Sequence, residues 1–345
     1  MLDPIYGQLM VPFLIALFLA INMGGSGTSP AFSAAYGANL IPKGLIPGLF
    51  GIMVFTGAIV AGKGVALTMG KGIIDADKLT ITLTSIILLS VALSLLMANL
   101  LGIPQSTSQS TVFALSGPAV YFGRLQTDRL FFEIIPTWFL LPVIAFFLTY
   151  AAGKYIYSPM KKRSRFDFDT IKIQPGLQVL VIISSLYVAF AIGSNNVANA
   201  SGPIASMVIN ELHISGQEKN FLFIVVLSTL VIAPAFGIGS SLFGHKVVRT
   251  TGKEIVEFGP LSATVIAFIT ATLLLTVSVV KGIPASLVQL NTGAIMAIGC
   301  AKLGWKEIFS RSSVKKFWIV WVTAPVLAFI LSFTMTWLAD KMGIL

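Results

Sequence analysis

Eight long apolar runs dominate the chain, near 6–22, 45–61, 79–101, 130–151, 177–194, 220–243, 259–281 and 315–338. A bilayer core takes about 20 mostly apolar residues per helical span. The runs lack the period-two alternation of a membrane strand, so they predict membrane helices. Four other apolar segments, roughly 24–40, 103–122, 195–210 and 283–300, are interrupted by Gly, Pro, Ser and Asn. These predict broken or re-entrant helices, which survive at membrane depth only where protein or a water-filled cavity covers the backbone.

The interruptions recur in order. Gly25-Ser26 returns as Gly193-Ser194. Thr68-Met69-Gly70-Lys71-Gly72 returns as Thr250-Thr251-Gly252-Lys253-Glu254. Gly102-Ile103-Pro104-Gln105-Ser106-Thr107-Ser108-Gln109 returns as Gly282-Ile283-Pro284-Ala285-Ser286-Leu287-Val288-Gln289. Three pairs in one order indicate an internal duplication: a first membrane repeat at 1–152, a connection at 153–176 and a second repeat at 177–345.

Composition agrees with a polytopic membrane protein, since only 10% of residues are charged where soluble domains carry about a quarter. The net charge of +10 reads as loop charge that sets orientation rather than as a nucleic-acid surface. Residues 154–172 carry six basic side chains against Asp167 and Asp169, which makes this loop cytoplasmic. Lys302, Lys306, Arg311, Lys315 and Lys316 against Glu307 do the same for the approach to the last span. Their first-half counterpart, Arg124 and Arg129 against Asp128, is weakly basic and is expected outside. The repeats are therefore expected to be inverted, with both termini outside. All-α inverted repeats with discontinuous helices near the midplane are a transporter architecture. Met1-Leu2-Asp3-Pro4 lacks a basic leader, so the first run reads as a retained span. The single Cys300 excludes an internal disulfide and reads as packing.

At the repeated motifs, and over nearly the whole chain, the sequence resembles the inorganic phosphate transporter family. That family carries a Gly-Ala-Asn-Asp-Val-Ala-Asn-Ala type signature and a Pro-x-Ser-Thr-Thr-His type motif in each half. Here Gly193-Ser194-Asn195-Asn196-Val197-Ala198-Asn199-Ala200 is a specific match, while Gly25-Ser26-Gly27-Thr28-Ser29-Pro30-Ala31 is degenerate. The signature aspartate is replaced by Thr28 and Asn196, and the histidine by Gln109 and Gln289. With Ala34-Ala35-Tyr36-Gly37 beside the first motif, the chain is more similar to the bacterial sulfate permease branch.

The resemblance implies a multi-pass protein of a bacterial-type inner membrane. It would import sulfate, or phosphate as the alternative, in symport with a proton or sodium. The absent carboxylate supports sulfate. Phosphate near neutral pH still carries protons and can donate to a carboxylate, whereas sulfate only accepts and suits donors. With no Lys or Arg in the motifs, anion binding would rest on helix N-termini. Gly25, Gly27, Gly193 and Gly202 would allow close backbone approach. Ser26, Thr28, Ser29, Ser106, Thr107, Ser108 and Ser286 would add hydroxyls, and Asn195 and Asn196 amides. Asn22, Asn199, Gln109, Gln289 and Asn291 would bind the cation or stand behind the site. No cofactor is expected, sodium being the one candidate bound metal, and a homodimer is left open. An enzyme would need a nucleophile, metal cluster or carboxylate pair at depth, and both histidines read as solvated; an anion channel remains an alternative of another class. Thr28→Asp with Asn196→Asp is expected to move selectivity toward phosphate, checked by parallel sulfate and phosphate uptake.

Overall fold

The computed structural model describes residues 4–100, 105–157, 175–251, 259–310 and 312–345. The helices, in order, are α1 (Pro4–Gly37), α2 (Ile46–Ala61), α3 (Lys63–Lys71), α4 (Ile81–Leu100), α5 (Thr107–Tyr121) and α6 (Ile135–Ala151). A second series follows: α7 (Pro175–Asn196), α8 (Ala198–Glu211), α9 (Glu218–Ile232), α10 (Pro234–Thr251), α11 (Pro260–Thr276), α12 (Leu287–Leu303), α13 (Trp305–Ser310) and α14 (Ser312–Lys341). Among the described residues, eight helical stretches are long and apolar enough to cross a membrane, and each coincides with one of the runs above. Helices dominate because lipid offers no partner to a backbone N–H or C=O, so every span must satisfy its own.

Aligned on the recurring sequence motifs, the two series can be paired in order. Long α1 corresponds to α7 with α8, α2 to α9, α3 to α10, α4 to α11, α5 to α12 and α6 to α14. Packing follows the same rule: α1 lies on α4 as α7 lies on α11, and α5 packs on α14 as α12 packs on α6. One large apolar core runs through both series. At one end α8 caps α4 across them: Glu211 Oε1 accepts the Ile81 N–H at 2.9 Å, and Asn210 donates to the carbonyls of Ala76 and Leu79.

The expected interruptions divide into two kinds. Segment 24–40 is not broken before Gly37, because α1 runs without interruption from Pro4 to Gly37. Its hydroxyls turn back on their own helix, Thr28 Oγ1 to Gly24 O at 2.7 Å and Ser26 Oγ to Met23 O at 3.1 Å. Its glycines serve helix contact. A Cβ on Gly24 would stand 2.2 Å from Phe236 O, and one on Gly239 1.9 Å from Ile21 O, so α1 and α10 meet backbone to backbone. Gly57 and Gly193 do the same between α2 and α7, where a Cβ would stand 2.0 Å from Phe190 O and Val54 O. Small residues at membrane helix interfaces allow this approach. Segment 195–210 is interrupted only at Val197, between α7 and α8. The unwound stretches are 282–286 before α12 and residues 105–106 before α5, where 103 and 104 lie outside the described residues. Span 220–243 is divided at Ala233, and Pro234 opens α10, a position where its missing N–H costs nothing. Most of the basic connection 153–176, with Glu254 and Glu257, also lies outside them.

Gly193→Ala is expected to cost about 1–3 kcal/mol from overpacking, measured as a lower thermal midpoint in detergent. Gly176→Ala, with nothing within 4 Å of the added carbon, should show no loss.

Candidate functional site

The starts of α5 and α12 are built alike. Ser106 and Ser286 both have extended backbone, with φ −81° and −102°. Each accepts the N–H three residues on, Gln109 N to Ser106 Oγ at 3.3 Å and Gln289 N to Ser286 Oγ at 3.2 Å. This is the N-cap chemistry that Ser-x-x-Gln encodes. In a full capping box the Gln side chain returns to its own cap. Here the two glutamines reach each other instead. Gln109 Nε2 donates to Gln289 Oε1 at 2.9 Å, and Gln289 Nε2 donates to Gln109 Oε1 at 2.9 Å. Both residues are buried. Residues expected to stand behind the site therefore join its two halves.

The unwound stretch before α12 is held from several sides. Asn195, fully buried at the end of α7, brackets Ala285: its Nδ2 donates to Ala285 O at 2.9 Å and its Oδ1 accepts Ala285 N at 3.0 Å. The same Nδ2 lies 2.9 Å from Ser108 Oγ and 2.7 Å from Asn196 Oδ1. Trp138 Nε1, from α6, donates to Pro284 O at 2.7 Å. Thr68 Oγ1, from α3, donates to Gly282 O at 2.6 Å and accepts from Arg129 Nη2 at 2.7 Å. Gly282 sits at φ +62°, with the backbone of Gly64 2.7 Å from where its Cβ would stand, so only glycine fits there.

Asn199 is fully buried; its Nδ2 lies 3.4 Å from Ser108 Oγ, and its Oδ1 has no partner. Asn291 Oδ1, two residues past Gln289, is also without one. Asn196 is half-buried. Asn195, Asn196 and Asn199 are linked through Ser108 and Ala285 to the two helix starts, while Asn291 lies four residues beyond Leu287 in α12.

The α1 motif stands differently. Gly25 faces the Phe243 side chain, and Gly27 faces Phe50 and Ile192. Ser26 and Thr28 are tied to their own helix, Ser33 Oγ donates to Ser29 O at 2.7 Å, and Thr28 packs against Gly244. Asn22 O and Oδ1 take the Asn99 amide at 3.1 and 3.3 Å, while Asn22 Nδ2 donates to Phe18 O. The position equivalent to Asn195 is Gly27, so Gln105, the counterpart of Ala285, lacks a bracket. Its amide holds Ser94 and Ser110 instead, and its Oε1 is unpartnered.

Sequence reading missed Trp138, Thr68, Asn99 and Gln105. Two signals were available. Trp138-x3-Pro142 recurs as Trp321-x3-Pro325, and Asn99 is an amide at the end of an apolar run, where polar groups are costly.

Every buried polar side chain among the described residues is Asn, Gln, Ser or Thr. Among them no group of three or more His, Cys, Asp or Glu could hold a metal ion, and His213 is exposed. The arrangement offers hydroxyl and amide donors, first-turn N–H groups without intrahelical partners and three orphan amide oxygens, on Gln105, Asn199 and Asn291. It contains nothing that titrates near neutrality.

A helical bundle with this neutral polar centre defines a multi-pass membrane protein of the transporter class. The chain belongs to the phosphate transporter family, whose model matches residues 23–332. It is 32% identical over 327 residues to the sulfate permease CysP of Bacillus subtilis (strain 168), covering 94% of this chain and 86% of that one. It is 26% identical to a putative phosphate permease of Pyrococcus horikoshii, covering 94% and 96%. A probable low-affinity inorganic phosphate transporter of Bacillus subtilis is 27% identical, covering 81% and 82%. The fold matches a solved sodium-dependent phosphate transporter at a TM-score of 0.83 and 21% identity, over 97% of this chain and 100% of that one.

Asn195→Ala would orphan both backbone groups of Ala285, at about 1–3 kcal/mol each. The expected outcome is a lower thermal midpoint than that of Ser278→Ala, which removes only a 3.3 Å bond to Asn195 Oδ1.

Proposed function

We propose that the chain imports an inorganic tetrahedral oxyanion, sulfate before phosphate, in symport with a cation. The observation that carries this reading is the carboxylate-free set of buried polar groups around the starts of α5 and α12. A proton-free anion needs donors alone, and each cap serine uses its oxygen as an acceptor, which leaves the hydroxyl hydrogen to donate. The similarity to a sulfate permease supports the same choice. Of the predicted ligands, Asn196 is better placed than Thr28 to face an anion, since Thr28 is committed to Gly24 O.

A dianion entering against an inside-negative potential costs about 2.3 kcal/mol per charge per 100 mV, so two monovalent cations are needed to cancel its charge. Among the described residues no Asp, Glu, His or Lys is buried to relay a proton. That favours a cation held by neutral oxygens, with sodium the leading choice and Asn199 Oδ1 and Asn291 Oδ1 as ligands. The repeats act as inverted halves, with the anion between α5 and α12 and alternating access by rocking of one half against the other.

The test is radiolabelled sulfate uptake into proteoliposomes, competed with phosphate, under separately imposed sodium and proton gradients. Saturable sulfate uptake driven by sodium is expected, with phosphate a weaker competitor. Preference for phosphate would overturn the choice of anion. Flux that follows the sulfate gradient alone would make the protein a channel.

A further inference from the structure

The Gln109–Gln289 pair is not needed to start either helix, because Ser106 and Ser286 already cap them. It is also the one contact noted between the two halves that joins equivalent residues, position for position. Each amide carries both a donor and an acceptor, in an interior whose buried polar side chains are otherwise neutral. An amide can serve an anion through its NH2 and a cation through a separate carbonyl oxygen.

Resting on the reading above, we propose that this pair couples the two ligands: when it separates, both Nε2 groups donate to the oxyanion and both Oε1 atoms accept the co-transported cation. The exchange replaces two neutral amide–amide bonds by charge-assisted bonds, which are shorter and roughly twice as strong. Neither ligand alone suffices. The anion alone leaves two buried carbonyl oxygens without donors, and the cation alone leaves two buried N–H groups without acceptors. A buried group left so carries its full desolvation penalty. Each ligand therefore raises the affinity for the other, and closed and empty the pair satisfies itself.

A second observation points to the cation. Asn199 Oδ1 is a fully buried acceptor without a donor, and its own amide reaches Ser108, the residue before Gln109. Asn291 Oδ1 stands likewise two residues beyond Gln289. Two buried amide oxygens without donors, one linked through its own amide to α5 and one in the first turns of α12, suit a cation and not an anion.

The experiment is equilibrium binding of radiolabelled sulfate to the purified full chain, with sodium titrated against choline. In the unaltered protein saturating sodium is expected to tighten sulfate binding about tenfold, and sulfate to tighten sodium by the same factor, since coupling is reciprocal. In Gln109→Leu with Gln289→Leu the sodium effect should fall below about fivefold, the lower end of typical coupling, while weaker sulfate binding at the helix starts persists. Gln109→Glu keeps the acceptor, removes the donor and adds negative charge, so it should bind sodium at least as well and sulfate at least about tenfold more weakly, through lost donation and repulsion together. It reads the proposal even if the leucine pair fails to fold. Undiminished sodium dependence in the double variant, or unaltered sulfate affinity in Gln109→Glu, overturns the proposal and leaves the transport reading standing. An unaltered protein that binds no tetrahedral oxyanion overturns that reading itself.

Discussion

The unwound stretch at 282–286 can remain buried only because other helices take up its polar groups. Asn195 brackets Ala285 through both backbone atoms, Trp138 reaches Pro284 O, and Thr68 reaches Gly282 O. Without them several carbonyl and amide groups would be shut away from water at a cost that no membrane-embedded segment sustains. The three donors come from α7, α6 and α3, so the break before α12 depends on both helical series. That dependence positions Ser286 and Gln289 and therefore the face α12 turns toward α5.

Two consequences follow from a buried polar set that is wholly neutral. Its protonation does not change over the physiological range, so its donors stay donors whatever the pH outside. Its amides and hydroxyls are also weaker individually than charged groups, so ligand binding must be shared among many of them and helix N-termini. Crowding of Ser106, Ser108, Asn195, Asn199, Gln109, Gln289 and Ser286 into one neighbourhood is what such sharing requires.

The two halves share a plan but not a mechanism of support. Asn195 has Gly27 as its counterpart, and Gly27 offers nothing to Gln105. The α1 motif, degenerate in sequence, is degenerate in structure as well: its glycines meet aromatic side chains or the α10 backbone, and its hydroxyls turn back on α1. The α7–α8 motif keeps its amides in contact with the helix starts. The polar work falls chiefly to the α7–α8 motif and the packing work to the α1 motif.

Much of this was legible from residue order alone. Long apolar runs must be spans, because lipid leaves no other outcome for twenty apolar residues. Ser-x-x-Gln after Gly-Ile-Pro states a helix start locally, since cap and first turn lie within four residues of each other. Whether a glycine breaks a helix or seats one against another was not legible, because both uses look the same in the chain and only the neighbour distinguishes them. Gly24, Gly193 and Gly239 were decided by Phe236, Val54 and Ile21, residues far away in order. The meeting of Gln109 with Gln289 was likewise beyond the sequence. A side chain three residues into a helix can return to its cap or cross to a partner, and the approach of α5 to α12, set by packing across both series, made the choice.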